Sequence, residues 1–122
     1  MSNHLVLLVD DDEITNFMSK QILGELGWDE VTSVRNGQEA LKYVQNQCPD
    51  LIFLDIKMPV MDGFEFLTEL HETQLCPQAK IVMLTSSSRE TEKKQATQFT
   101  NVIAFLVKPL TKAKIASVLQ KI

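Results

Sequence analysis

Four short apolar runs constrain this chain more than any other feature. They are Leu5-Val6-Leu7-Leu8-Val9, Leu51-Ile52-Phe53-Leu54, Ile81-Val82-Met83-Leu84 and Val102-Ile103-Ala104-Phe105-Leu106-Val107. Each is continuous rather than alternating, strand-length, and bounded by turn residues, the pattern of parallel strands buried on both faces. A further run, Val31-Thr32-Ser33-Val34, is half polar and reads as an edge strand.

Helical patterns separate these runs. Ile14, Phe17, Met18, Ile22 and Leu26 keep a helical period, and Gly27 follows as a stop signal. Ala40, Leu41 and Val44 mark a second helix, Phe64, Leu67 and Leu70 a third, and Ile115, Val118, Leu119 and Ile122 a fifth. The fourth, about 89–99, offers only Ala96 and Phe99 to a core, so it is expected to be loosely held and exposed. Strand and helix thus alternate five times, which predicts an α/β fold with a parallel sheet covered on both faces, in one domain over residues 1–122. Ligands of such sheets bind outside the carboxyl ends of the strands.

Chemistry-bearing residues collect at those ends. Asp10, Asp11 and Asp12 follow the first strand, Asp55 the third, Thr85 and Ser86 the fourth, and Lys108 and Pro109 the fifth. Taken singly, each has an ordinary explanation: Asp12 as a helix cap, Thr85 as a loop hydroxyl, Lys108 as a solvated lysine. Their convergence on one edge of the sheet does not. Carboxylates packed together repel and call for a cation, and hard oxygen ligands suit Mg²⁺. A carboxylate can itself act as a nucleophile toward phosphorus, with the metal, an ammonium and a hydroxyl stabilising the phosphoryl oxygens.

The remaining composition narrows the classes. With 12 Lys and Arg against 16 Asp and Glu the net charge is −4, which argues against nucleic-acid binding by this domain. No apolar run approaches the roughly 18 residues that a membrane span requires, and Met1-Ser2-Asn3-His4 does not open a signal peptide, so a soluble cytoplasmic protein is expected. Cys48 and Cys76 form no C-x-x-C pair and are expected to be unpaired thiols.

The segments Val9-Asp10-Asp11-Asp12, Leu54-Asp55-Ile56-Lys57-Met58-Pro59, Met61-Asp62-Gly63, Leu84-Thr85-Ser86 and Leu106-Val107-Lys108-Pro109 together resemble the receiver domains of bacterial response regulators. The resemblance spans essentially the whole chain. It implies a flavodoxin-like (βα)5 sandwich with strand order 2-1-3-4-5; the chemotaxis receiver is the stock illustration of that order. It further implies that Asp55 is the phosphoacceptor, that Asp11 ligates Mg²⁺ directly and Asp10 mostly through metal-bound water, and that the backbone carbonyl of Lys57 is another ligand. Thr85 and Lys108 would each meet a phosphoryl oxygen. Phe105 would be the switch aromatic coupled to Thr85, and the bond before Pro109 would be cis. Lys57, Ser86 and Ser87 would tune hydrolysis. The implied partners are a histidine kinase or histidine phosphotransfer protein and a downstream protein target, reached through the fourth helix, fifth strand and fifth helix. Ile14 and its neighbours flank the acidic mouth and are candidates for the donor's docking surface, although Ile14 reads equally well as core.

Phe105 lacks the hydroxyl of a tyrosine, and Thr100-Asn101 stands where many receivers have Gly-Ala; neither removes a chemical part of the site. A stand-alone regulator and a receiver cut from a longer protein fit equally well. The competing functions are weaker. A Mg²⁺-dependent hydrolase of small phosphoesters commonly carries an acid two residues after the nucleophile, where Lys57 stands, and needs a cap for which 122 residues leave little room. A flavin carrier would need a phosphate-binding loop where the chain has three aspartates.

Overall fold

A computed structural model describes residues 4–86 and 90–122. Ten elements alternate in it: β1 (Leu5–Val9), α1 (Glu13–Glu25), β2 (Glu30–Val34), α2 (Gly37–Asn46), β3 (Leu51–Asp55), α3 (Gly63–Thr73), β4 (Lys80–Thr85), α4 (Glu90–Ala96), β5 (Val102–Val107) and α5 (Lys112–Leu119). The strands are all parallel in the order β2-β1-β3-β4-β5. The flavodoxin-like order expected from the resemblance is therefore the observed one.

Side chains alternate across the sheet and divide the core in two. Leu7, Val9, Ile52, Leu54, Ile81 and Met83 pack against residues of α2, α3 and Ala96 of α4. Val6, Leu8, Leu51, Phe53, Val82 and Leu84 pack against Leu23 of α1 and Ile115 and Val118 of α5. Both faces of β1, β3 and β4 are thus buried, which is why their sequences are continuously apolar. β5 departs from its apolar run only in burial, its edge position being that of the expected order. It pairs only with β4, so it is an edge, and all six of its residues are only half-buried.

The helix boundaries follow local chemistry. The Asp12 carboxylate caps α1 at the Ile14 amide, and α1 ends in a Schellman turn, with Trp28 N–H on the Leu23 carbonyl at 2.8 Å and Gly27 at φ +89. Asp62 and Glu65 make a reciprocal capping box at the start of α3. The rotational phase of α1 overturns the simple reading of its apolar stripe. Asn16, Ser19 and Leu23 are buried, whereas Ile14, Phe17 and Met18 are 70%, 68% and 51% exposed. At about 100° per residue the two sets lie on opposite sides of the helix. The equal reading of Ile14 as core is thereby settled against the core. α4 ends at Ala96, before the residue 99 expected from sequence, and Ala96 is its buried residue.

The expectation of two free thiols is also overturned. Cys48, before β3, and Cys76, before β4, form a disulfide with their Cα atoms 5.4 Å apart. Sequence separation of 28 residues hid a pair that the parallel strands bring side by side.

Candidate functional site

β3 ends on Asp55 and β4 on Thr85, while Asp10 and Lys108 directly follow β1 and β5. Because β1, β3, β4 and β5 are parallel neighbours, these residues meet at one edge without any further device. Asp10, Asp55 and Thr85 are buried, at 1%, 6% and 3% exposure, and Asp11 is exposed at the rim.

Carboxylate oxygens of Asp10, Asp11 and Asp55 lie within 4.8 Å of one another. The Lys108 ammonium lies 2.6 Å from Asp10 Oδ2 and 3.3 Å from Asp55 Oδ2. Asp10 Oδ1 accepts from the Asp12 amide at 2.9 Å. Its Oδ2 is buried without an aligned hydrogen bond, so the approach of Lys108 is a charge pairing. The Thr85 hydroxyl donates to Glu92 Oε1 of α4 at 3.2 Å.

Burial first, and then the Asp10 charge, push the Asp55 carboxyl up to about 6, although Lys108 pulls the other way. Burial opposes the charge of Lys108, but its close pairing with Asp10 and the charge of Asp55 outweigh that cost and raise its pKa. Hydrogen bonds from Thr15 and Ile14 lower that of the exposed Asp12. Two buried carboxylates sharing one ammonium leave the edge short of positive charge. Three clustered carboxylates and a buried carboxylate oxygen lacking an aligned donor suit a hard divalent cation.

The other residues singled out from the sequence are distributed as follows. Lys57 is exposed, two positions beyond Asp55, and Ser86 is exposed after Thr85. Ser87 lies outside the described residues. Phe105 is half-buried on β5 beside Met83 and packs against the core on the α2–α3–α4 side. The Lys108–Pro109 peptide is cis.

Four supporting residues had been given no role at the site from the sequence. The buried Asn16 amide donates to the Asp10 carbonyl at 2.8 Å. Lys114 donates to the carbonyls of Val107 and Pro109, at 2.7 and 3.0 Å, on either side of Lys108. Glu92 holds the Thr85 hydroxyl. At Gly63 a Cβ would stand 2.3 Å from the Asp55 carbonyl oxygen, so only glycine lets α3 start this close to the end of β3. Asn16 had one usable signal, a polar residue in helical register with Ser19 and Leu23. The partners of Glu92 and Lys114 depend on how α4 and α5 dock.

Comparison with known proteins agrees with this geometry. The response regulator receiver domain family matches residues 6–120. The chain is 32% identical over 118 residues to the chemotaxis protein CheY of Bacillus subtilis, covering 97% of this chain and 96% of that protein. Among solved structures it resembles chemotaxis protein CheY4 of Vibrio cholerae, with a TM-score of 0.88, 31% identity and 98% of both chains covered. It also resembles the receiver domain of a sensor histidine kinase from Pseudomonas aeruginosa, at a TM-score of 0.85 and 26% identity over 98% of this chain and 97% of that one; that protein has a magnesium ion coordinated in its active-site cleft. With sheet order, edge chemistry and whole-chain similarity in agreement, the chain belongs to the response regulator receiver domain family, whose members are signalling switches of two-component systems.

Proposed function

We propose that residues 1–122 form one receiver domain that takes a phosphoryl group on Asp55 from the phosphohistidine of a histidine kinase or phosphotransfer protein. The observation that carries this reading is the meeting of the Asp10, Asp11 and Asp55 carboxylates within 4.8 Å beside Lys108. Asp10, Asp11, Asp55 and the Lys57 carbonyl would hold Mg²⁺, which when bound neutralises phosphoryl oxygens in the transition state.

An Asp55 carboxylate oxygen attacks phosphorus in line, the P–N bond to the donor imidazole breaks, and the imidazole leaves with the bonding electrons and takes up a proton. Lys108 pairs with Asp55 beforehand and with a phosphoryl oxygen afterward. The Thr85 hydroxyl turns from Glu92 to another phosphoryl oxygen, and the half-buried Phe105 ring moves into the space vacated. That repacking changes the α4–β5–α5 face offered to a downstream protein. Lys57, Ser86 and Ser87 tune access of hydrolytic water, so the chain catalyses only its own phosphorylation and dephosphorylation. The exposed Ile14, Phe17 and Met18 beside the acidic mouth form the donor's docking surface.

The test is intact mass after incubation with acetyl phosphate. A single phosphoryl addition requiring both Mg²⁺ and Asp55, and absent from Asp55→Asn, is expected. No addition to folded protein, together with no beryllofluoride complex, overturns the assignment.

A further inference from the structure

The disulfide lies at the opposite edge of the sheet from Asp55, since both of its cysteines precede their strands. We propose that Cys48 and Cys76 form a thiol–disulfide exchange site that takes a dithiol as its reductant and clips the α3–β4 loop to the α2–β3 loop.

The two sulfurs have unequal access. Cys48 is exposed, whereas Cys76 keeps 5% exposure. An incoming thiolate therefore reaches Cys48. Its sulfur bonds to Cys48 Sγ, the Cys48–Cys76 bond breaks, and Cys76 departs as a thiolate that takes up a proton. The second thiol of the reductant then attacks the mixed disulfide and releases Cys48. The bridge gains two electrons and two protons, and the dithiol is oxidised to its disulfide.

The buried leaving group already has a place for its reduced form. Cys76 Sγ lies 3.6 Å from the Val44 carbonyl oxygen. A disulfide sulfur carries no proton to donate there, but a thiol does. The Val44 carbonyl thus offers the released Cys76 thiol an acceptor as the bridge opens.

The loop is also held in a costly conformation. Gln74 and Cys76 both adopt left-handed backbone, at φ +56 and +48, although neither is glycine. Such residues persist where the surroundings hold them, and the bridge is the covalent hold on this loop. Next to it a cavity of about 400 Å³ is lined by Leu70, His71, Leu75, Pro77, Thr100 and Asn101, which joins the α3–β4 loop to the approach of β5. The His71 ring stands edge-on to Phe99 across the same junction. Opening the clip thus frees 74–79 and, through the shared cavity, 99–101.

The experiment uses the whole chain purified without reductant. Native maleimide labelling is expected to add nothing before dithiothreitol and two adducts after it, with oxidised glutathione restoring protection. Reduction is expected to lower Tm by about 10 °C. It should also speed amide exchange in 74–79 and 99–101, leaving β1 and β3 unchanged. Cys48→Ser, at the exposed position, should match the reduced chain and ignore dithiothreitol. Two adducts without reductant that oxidised glutathione cannot prevent would overturn the site. So would a bridge that opens only in denaturant, or amide exchange at 74–79 that is blind to reduction.

Discussion

The Thr85 hydroxyl donates to Glu92 Oε1 at 3.2 Å, which ties the end of β4 to the first turns of α4. In the proposed switch, the hydroxyl that meets the phosphoryl group is thereby held by the helix whose face changes. On that proposal the bond opposes the switched state, because Thr85 leaves it to reach a phosphoryl oxygen.

Removing the acceptor should favour the switched state. A partly exposed hydrogen bond to a carboxylate is worth about 1 kcal/mol, or about fivefold in an equilibrium. Glu92→Ala should bind beryllofluoride with Mg²⁺ about fivefold more tightly, with Glu92→Gln in between. Unchanged or weaker binding in a titration followed by amide NMR would show that the contact exerts no bias.

The Asp55 carboxyl, raised to about 6, makes stability depend on pH in the metal-free protein. The folded state binds this proton more tightly than the unfolded state does, so the group destabilises the fold above pH 6, and the penalty fades as pH falls from 6 toward 4. Asp55→Asn should therefore exceed the wild type by about 1–2 kcal/mol at pH 7.5 in chelator, a figure reduced for solvent screening at the open mouth. The gap should close by pH 4. Urea titrations at both pH values check it, and a gap that widens toward pH 4 contradicts it.

Two substitutions probe the scaffold beneath the acids. Asn16→Leu leaves the buried Asp10 carbonyl without its donor and should cost about 1–3 kcal/mol. Gly63→Ala should cost about as much or more, because its Cβ meets the Asp55 carbonyl oxygen and the backbone must shift. Urea midpoints at constant slope measure both. Gly63→Ala should in addition slow labelling by acetyl phosphate, since the strain falls on Asp55 itself.

Substitutions in the exposed apolar patch on α1 test whether the proposed docking surface can be separated from phosphorylation. Phe17→Asp and Ile14→Asp, at 68% and 70% exposure, should change stability by less than about 0.5 kcal/mol. They should leave acetyl phosphate labelling intact and slow transfer from a phosphorylated histidine donor by about tenfold or more. Equal rates with both donors would remove α1 from the docking surface.

Much of the site was legible because its chemistry sits at fixed offsets from strand ends. Asp10, Asp55, Thr85 and Lys108 come together once the apolar runs are read as parallel strands, and the structure places all four on one edge. The half-polar Val31–Val34 run marked the edge strand β2, whereas β5 reads as apolar as β3 and its edge position came from the order that the resemblance implied. Helical cover and the packing of Phe105 account for its composition in a way that the run alone does not reveal.

Sequence by itself determined the alternation of elements, the parallel sheet and the acidic mouth, because these depend on local periodicity and on residues adjacent to strand ends. Tertiary structure decided the phase of α1, the pairing of Cys48 with Cys76, and the partners of Asn16, Glu92 and Lys114. A period fixes how apolar residues recur along a helix but not which side meets the sheet. That choice is made where Asn16 finds the Asp10 carbonyl and Leu23 enters the core, which turns Ile14, Phe17 and Met18 to solvent. Likewise, loops 28 residues apart become neighbours only after β3 and β4 pair in register.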